Sequence, residues 1–396
     1  MSFFQSLAAA FKGEAVTPRV PLGRSFVSPW IAASDWQGGA APEFNRGPIN
    51  YPVAIREAYL KNPVAQRAVR LVAEGIGSAP LQASDPALTA LVSETSAGQP
   101  LLETLTAHLL LHGNAYVQVL RDVDGVPVEL FALRPERVTV IPDASGWPAA
   151  FAYKVGEKAL RIEALDDFDR PNLIHIRYFH PVDDHYGAGC LEAAEEAVAI
   201  HNAAARWNRS LLENAARPSG ALVYDPGELG AALSPDQFER IKAELTAAYS
   251  GMGNAGRPML LEGGLRWQSL ALSPADMDFA TLKAAAARDI ALAFGVPPML
   301  LGIPGDNTYA NYREANRALW RLTLLPVAGK ILDALSEGLS PWFTGAALRV
   351  DMDRVPALAE DRERMWAQVA GADFLSADEK RAMLGIGGQF GAQVQP

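Results

Sequence analysis

Cysteine, excess positive charge and long apolar runs are all scarce in this sequence. The one thiol, Cys190, cannot form an internal disulfide, which excludes a cysteine-stapled secreted fold and fits a reducing cytoplasm. No uninterrupted apolar run approaches the roughly 20 residues of a membrane helix, so no membrane partner is expected. The 35 Lys and Arg residues face 45 Asp and Glu residues, for a formal net charge of −10. Any contact with DNA is therefore expected to be local or weak, because a global attraction to phosphate is missing.

Complete catalytic motifs are missing as well. His108 and His112 have the i, i+4 spacing of zinc ligands, but three leucines stand between them where a zinc enzyme has its glutamate base. Gly329 and Lys330 resemble the end of a phosphate-binding loop, yet the upstream glycine is absent and Ile331 replaces the Ser or Thr. The sequence has no G-x-S-x-G elbow. We therefore predict no cofactor, no bound metal and no enzymatic activity.

One denser group of possible metal ligands comprises His180, Asp183, Asp184 and His185. Imidazole and carboxylate groups both bind metals, so this group carries an alternative hypothesis, a metal-dependent enzyme. The same residues also have the composition of a turn that leads into a helix N-terminus, where aspartate is favoured. We favour the turn and retain the enzyme as the alternative.

What the sequence does contain is the composition of a globular protein, with 49% hydrophobic and 20% charged residues. At 396 residues it is long enough for a sizeable core and for two or more subdomains. Residues 1–50 are the exception, being rich in Pro and Gly with Trp30 and Trp36 isolated among small residues. They are either a disordered terminus or an arm that docks on a neighbouring molecule.

Hydrophobic periodicity predicts an α+β fold. Helices are expected at 62–77, opened by Asn62 and Pro63, and at 101–112, closed by Gly113. Short β-branched or aromatic runs then predict antiparallel strands at 115–120, 128–133, 137–141, 150–155 and 173–179. A long helix is expected from Gly187 to Asn214.

A small α/β insertion follows this long helix. Its expected parts are a strand at 219–224, a helix capped by Ser234, and a strand pair turned at Gly263 and Gly264. After the insertion, a capping box of Ser273 and Asp276 opens another helix. Two long helices are therefore predicted to run out to a small α/β tip and back.

The stretch 273–339 is predicted to form two helices joined by a polar loop, around which the rest of the chain is arranged. Its first helix is expected to stop at Gly295, before two prolines. A polar loop at 302–311 follows, and a second helix begins near Asn311, with Glu314 as its cap partner. Pro326 predicts a kink in that helix, because its ring displaces the carbonyl four residues back. A short capped helix near Ser376 closes the pattern.

Three arginines share one face of the second helix. Arg313, Arg317 and Arg321 recur at i, i+4 and i+8 directly after the polar loop. They indicate a solvated face, ion pairs between subunits, or a small basic collar near a phosphate backbone that contacts it without reading its sequence.

Several segments of the chain together resemble phage portal proteins of the HK97-like group, including those of gene transfer agents. Each segment is weak evidence alone, but their order and spacing are specific. They are AYLKNPVAQRAVRLVAEGIGSAPL at 58–81, LHGNAYVQVLRDVDGVPVELFALRPERVTV at 111–140, LIHIRY through YGAGCLEAAEEAV, and ARDIALAFGVPPMLLG at 287–302 with DNTYANYREA and TLLP after it.

The resemblance implies a division of the chain into the parts of a portal subunit. These are an N-terminal arm (1–50), the first part of a wing (51–186), a stem helix (187–218), a clip (219–272), a second stem helix (273–295), a tunnel-loop region (296–311), a long kinked helix and wing (312–354), and a crown with the C-terminal tail (355–396). The crown is shorter than the family pattern and is expected to consist of one or two small helices.

The resemblance also implies a homo-oligomeric ring, usually of twelve subunits, at one capsid vertex of a virion or gene transfer agent particle assembled in the host cytoplasm. Double-stranded DNA would pass through the ring without sequence specificity. The other implied partners are the major capsid protein, the terminase large subunit and a head-completion or tail adaptor protein. The tunnel-loop residues implied to ring the duplex are Asp306, Asn307, Thr308, Tyr309 and Asn311.

Overall fold

Helices and antiparallel strands alternate through the part of the chain that the computed structural model describes, which is residues 51–213, 220–224, 234–249, 265–269, 279–303 and 309–384. The predicted α+β class is confirmed. The helices are α1 (Tyr51–Ile55), α2 (Pro63–Gly77), α3 (Pro86–Ser93), α4 (Leu101–His112), α5 (Cys190–Glu213), α6 (Pro235–Tyr249), α7 (Phe279–Ala293), α8 (Tyr309–Leu319), α9 (Leu325–Leu339), α10 (Ala359–Ala370) and α11 (Ala377–Leu384).

The strands form small antiparallel sheets. They are β1 (Leu81–Ala83), β2 (Thr95–Ser96), β3 (Gln99–Pro100), β4 (Asn114–Arg121), β5 (Pro127–Leu133), β6 (Val138–Pro142), β7 (Pro148–Val155), β8 (Lys158–Glu163), β9 (Leu173–Arg177), β10 (Gly220–Tyr224), β11 (Leu265–Ser269) and β12 (Leu348–Val350). Two of the sheets have three strands, in the orders β5-β4-β9 and β6-β7-β8. In the first, Tyr116 of β4 lies opposite both Leu133 and His175.

Four predicted features lie wholly or mainly outside the described residues. They are the arm at 1–50 with its two tryptophans, the turn at Gly263 and Gly264, the capping box of Ser273 and Asp276, and the loop residues Asp306, Asn307 and Thr308.

Capping chemistry sets the start of α2. The Asn62 side-chain oxygen accepts hydrogen bonds from the backbone N–H groups of Val64 and Ala65, both at 3.0 Å, and Pro63 occupies the first turn. The predicted start is confirmed. The buried face of α2 is formed by Ala65, Ala68, Val69, Val72, Ala73 and Ile76. Val64 and Leu71, beside this face, are half-buried.

The long helix α5 begins three residues later than predicted. A Cβ atom at Gly187 would lie 2.2 Å from the Gly113 carbonyl oxygen, and one at Gly189 would lie 2.9 Å from the Gly113 nitrogen. These glycines therefore serve a close backbone crossing, and the helix starts only after it, at Cys190. Beyond the crossing, α5 packs along α7, as the predicted out-and-back helix pair requires. Strands β10 and β11, which lie between the two helices in sequence, pair with each other antiparallel.

The helix that follows the loop is interrupted by a π-helical turn. Gly295 closes the preceding segment in the left-handed conformation with φ 65°, as predicted. The next helix begins at Tyr309, two residues before the predicted start. A π-helical turn at Trp320–Leu324 then joins α8 to α9, and Pro326 lies in the first turn of α9. The sequence predicts a kink at Pro326, which has no N–H to donate to the carbonyl four residues back. At this place the α-helical hydrogen bonds give way to the wider i→i+5 bonds of a π-helical turn.

The main core lies where α2, α4, α5, α7 and α9 meet β4 and β9. Its largest fully buried side chains include Leu105, Leu109, Ile290, Phe294 and Ile331. A second, smaller core fills the space between the two three-stranded sheets, around Tyr116 and Phe151. The two three-stranded sheets are thereby joined to the helices through β4, which contributes to both cores. Among the described residues, no helix has the length and apolarity needed to cross a bilayer.

Candidate functional site

The predicted tunnel loop leads directly into α8. Of its five predicted residues, Tyr309 and Asn311 belong to the first turn of that helix, and Asn311 is exposed. The helices before and after the loop are each anchored in the core, through Ile290 of α7 on one side and Leu319 of α8 on the other. The prediction that all five residues meet DNA stays a prediction.

The three arginines of α8 and the π-helical turn face acidic residues of the same chain. Arg317 is central: its side chain is only 14% exposed and its Nη2 lies 2.7 Å from Glu360 Oε2. The Nη1 of Arg317 is 3.1 Å from Glu314 Oε1, and its Nε is 3.5 Å from Asp361 Oδ2. Its hydrogen bond is the main cause that holds the pKa of Glu360 below the usual value.

The outer two arginines extend the same cluster. The Arg313 Nη1 lies 2.8 Å from Glu360 Oε1, and the Arg321 Nη1 lies 4.0 Å from Asp361 Oδ2. Glu360 and Asp361 belong to the first turn of α10, where the helix dipole favours acidic side chains. The arginines therefore hold α10 against α8 within one chain, an arrangement that none of the sequence hypotheses included. Their contact with DNA or with another subunit stays a prediction.

Sequence reasoning did not identify Glu360 and Asp361. The pair is 43 residues away from Arg317 in sequence, and an acidic first turn is a common helix start. The contact could have been predicted from two features taken together: the periodic arginines of α8 and the acidic first turn of a helix farther along the chain.

The group at 180–185 forms a turn, as favoured. The Asp183 Oδ1 accepts hydrogen bonds from the backbone N–H groups of His185 at 2.7 Å and Tyr186 at 2.9 Å. The His180 Nδ1 accepts from the Val182 N–H at 3.2 Å, and the Asp184 carbonyl accepts from Arg177. These hydrogen bonds join His180, Asp183 and Asp184 to groups nearby in the chain and stabilise the turn. Within the described ranges, no three His, Cys, Asp or Glu side chains are placed to hold a metal ion.

His180 and Asp183 also line a cavity of about 320 Å³. This cavity, called here the α4–α5 cavity, is bounded by α1, the C-terminal end of α4, residues 135–139 and the first turns of α5. The histidine at its α4 wall, His112, contacts the ring of Tyr51 edge-on, with 4.7 Å between ring centroids. Burial lowers the pKa of His112 to about 4, so this imidazole is neutral at pH 7.

The other buried residues that could serve as a base, a metal ligand or a nucleophile are also neutral at pH 7. Burial lowers the pKa of His108 to about 4 and that of His175 to about 3. His175 stacks on Tyr116, with 4.2 Å between the ring centroids. Burial raises the pKa of Cys190 to about 11, which keeps the thiol protonated and a poor nucleophile. The geometry of these groups is that of core packing.

Comparison with known proteins agrees with the fold. A Rickettsia felis protein of uncharacterized function is 40% identical over 345 residues, covering 83% of this chain and 88% of its own length. A chain from the neck of a native gene transfer agent particle, computed with C12 symmetry, is 45% identical with a TM-score of 0.66. The match covers 90% of this chain and 97% of the neck chain.

A more distant match shares the fold alone. The HK97 family phage portal protein from Corynebacterium diphtheriae is 19% identical with a TM-score of 0.55, over 76% of this chain and 96% of its own. The family profile described as phage portal protein matches residues 63–385, which span the helical core, both three-stranded sheets and the arginine cluster. The chain therefore belongs to the phage portal protein family.

Proposed function

We propose that this chain forms a homo-oligomeric ring of twelve subunits at one vertex of a phage or gene transfer agent particle. The observation that carries the proposal is the 45% identity, over nearly the full length of both chains, to a protein from a particle neck with C12 symmetry. The role is structural, a channel for DNA during packaging and exit, with docking sites for the terminase motor and for a head-completion or tail adaptor.

The described geometry supports this role at the level of the subunit. The packed helix pair α5 and α7 suits a stem, and the β10–β11 pair with α6 suits a clip at the end of that stem. The sheets built on β4 and β7 suit a wing. The segment 304–308 between two core-anchored helices suits a tunnel loop, since its helices fix where it emerges.

Charge supports the channel role. A channel must hold DNA without trapping it, and an acidic chain with net charge −10 gives no global attraction to phosphate. The basic row of α8 is offset within the chain by Glu314, Glu360 and Asp361. The loop residues from Asp306 to Tyr309 are polar and carry no cation. Such a surface is expected to contact DNA weakly and without sequence specificity.

Deletion of residues 305–310 tests the channel assignment. Rings are expected to form normally, because the helices on either side keep their core contacts, while packaged DNA per particle falls sharply. A matched control removes the six residues 391–396 and is expected to package normally. Quantitative PCR on nuclease-treated particles measures packaging, and negative-stain microscopy scores the rings. Full packaging by the 305–310 deletion, with rings intact, would remove the tunnel-loop assignment.

A further inference from the structure

Large apolar side chains are exposed at one end of the sheet β6-β7-β8. The turn before β7 and the loop after β8 meet at this end, because the Ala164 N–H donates a hydrogen bond to the Ala149 carbonyl at 2.9 Å. Trp147 of the turn is 73% exposed and Phe168 of the loop is 76% exposed. Together with the exposed Leu165 they form a surface called here the aromatic patch. Grouped exposed aromatic side chains are typical of an interaction surface.

The loop that carries Phe168 is held in place by its own hydrogen bonds. The Asp166 Oδ1 accepts from the backbone N–H groups of Phe168 and Arg170, both at 2.9 Å. The Arg170 Nε donates to Asp166 Oδ2 at 2.9 Å. The Arg170 guanidinium also lies over two rings, 5.0 Å from the centroid of Phe168 and 5.6 Å from that of Trp342. A side chain fixed in this way loses little conformational entropy on binding, so Phe168 is suited to anchor a partner.

Acidic side chains surround the aromatic patch. Asp167 and Asp169 stand on either side of Phe168 in sequence, and both are exposed. The β4–β5 turn, with the exposed Asp124, also lies beside the loop, since the Arg170 Nη1 is 3.5 Å from the Gly125 carbonyl oxygen. The patch is therefore complementary to a surface with apolar side chains and a cation at their edge.

The opposite end of the same sheet has such a surface. Phe151 of β7 and Ile162 of β8 lie opposite each other and belong to the second core. Side chains alternate along a strand, so Val155, Lys158 and Leu160 lie on the same face, nearer the β7–β8 turn. Val155 and Leu160 are at least half exposed, and Lys158 is exposed. These three residues, called here the hairpin face, continue the core side of the sheet into solvent.

The aromatic patch and the hairpin face cannot cover each other within one chain. They lie at opposite ends of β8, which is kept extended by its pairing with β7. The six residues of β8 span roughly 17–20 Å. In a closed ring, each subunit contacts its two neighbours through two different surfaces. Two complementary surfaces at opposite ends of one sheet meet this requirement.

We propose that the aromatic patch of one subunit packs on the hairpin face of the next, with Phe168 against Val155 and Leu160 and with Asp167 beside Lys158. The partner is thus a second copy of the same chain. This inference rests on the proposed ring and adds a contact that joins the sheets of neighbouring subunits.

Cysteine cross-linking of the assembled full-length protein tests the contact. The double variant Asp167→Cys with Lys158→Cys, treated with a short bismaleimide, is expected to give a ladder of covalent oligomers in denaturing gels. Each single substitution is expected to give no ladder, because the two surfaces are different. The matched control is Asp167→Cys with Lys154→Cys, since Lys154 lies on the other face of the same hairpin. Cys190 is common to all variants and sets the background.

Negative-stain microscopy of the same samples separates this contact from the ring itself. Rings together with a ladder from the Asp167–Lys158 pair alone would support the contact. Rings without that ladder, or a ladder from either single substitution, would overturn the contact and leave the proposed ring intact. Monomers alone, in images and in gels, would overturn both.

Truncation of the aromatic anchor provides a second test. Phe168→Ala is expected to raise the concentration at which half of the chains are assembled about tenfold, because each interface loses an aromatic anchor. Phe374→Ala is the matched control, since Phe374 is 86% exposed and lies outside both surfaces. Native mass spectrometry measures assembly, and circular dichroism confirms that both variants are folded. Equal assembly by the two variants would contradict the anchoring role of Phe168.

Discussion

At the scale of single residues, Gly113 fixes the junction between α4, β4 and the entry to α5. Its φ of 78° lies in the left-handed region, and a Cβ atom there would stand 2.3 Å from the Gly187 carbonyl oxygen. Gly113→Ala therefore combines backbone strain with a backbone clash that no rotamer relieves. We expect it to lower the free energy of unfolding by about 3 kcal/mol or more, measured by urea denaturation.

Gly98 provides a matched control for this substitution. Its φ is also 78°, but no atom lies within 4 Å of the added Cβ position. Gly98→Ala isolates the cost of the left-handed backbone, about 1–2 kcal/mol. Equal losses for the two variants would show that the close crossing of Gly113 and Gly187 adds nothing to stability.

His108 provides a second residue-scale prediction, through its protonation. Burial and the nearby His112 and Arg134 lower the folded-state pKa of His108 to about 4, from a usual value of 6.5. Between those values the unfolded chain binds the extra proton, so this histidine leaves stability intact above pH 6.5 and lowers it as the pH falls toward 4.

The variant His108→Leu removes this proton uptake. We expect a stability near that of the parent protein at pH 8, and an advantage that grows below pH 6.5 by about 1.4 kcal/mol per pH unit. Urea denaturation of both proteins from pH 8 to pH 4.5 measures the difference. A difference that is constant across this range would contradict the assignment of His108 as a neutral buried imidazole.

At the scale of elements, the cluster around Arg317 joins α10 to α8. Arg317→Ala removes contacts to Glu314, Glu360 and Asp361 at once and leaves the acidic start of α10 without its main partner. We expect the backbone amides of 359–384 to exchange with D₂O roughly threefold to tenfold faster, because local opening of this unit becomes easier. Hydrogen exchange with mass spectrometry measures the effect by segment.

The matched control is Arg321→Ala. Arg321 has the same helical spacing, but its side chain is 63% exposed and its nearest carboxylate oxygen lies 4.0 Å away. Exposed ion pairs contribute little, so its exchange rates should equal those of the parent protein. If both variants behave alike, the central position of Arg317 is not what holds α10.

Element boundaries were predictable wherever a local chemical signal defines them. Asn62 with Pro63, Gly113, Gly295 and Ser376 all act as the sequence indicates. Strand β8 was missed because only Ile162 of its six residues is buried, so the strand has no alternating apolar pattern. Its place is fixed instead by pairing with β7.

The start of α5 and the partners of Arg317 could not be predicted from neighbouring residues in the sequence, because both depend on long-range contacts. The first depends on a backbone crossing between Gly113 and Gly187, and the second on a contact over 43 residues of sequence. Neither contact can be predicted from a short stretch of sequence. The favoured turn at 180–185 was predictable, because aspartate before a helix is bonded by the backbone N–H groups around it.

At the scale of the whole molecule, the described fold has a main hydrophobic core among the helices and a smaller one between the two three-stranded sheets. The first core includes residues of α5 and α7, and the second lies between the sheets β5-β4-β9 and β6-β7-β8; strands β10 and β11 pair with each other. In the proposed role, these parts supply the stem, the wing and the tunnel loop of one subunit in a ring of identical copies.

Cryo-electron microscopy of intact particles that carry a tagged copy of this chain tests the central claim most directly. Reconstruction of the vertices without imposed symmetry is expected to show twelve copies of this fold in a closed ring at one vertex, with residues 304–308 nearest the axis. The tag should label that vertex alone. Density for this fold at every vertex or throughout the shell, or particles that contain DNA and lack the chain, would contradict the account.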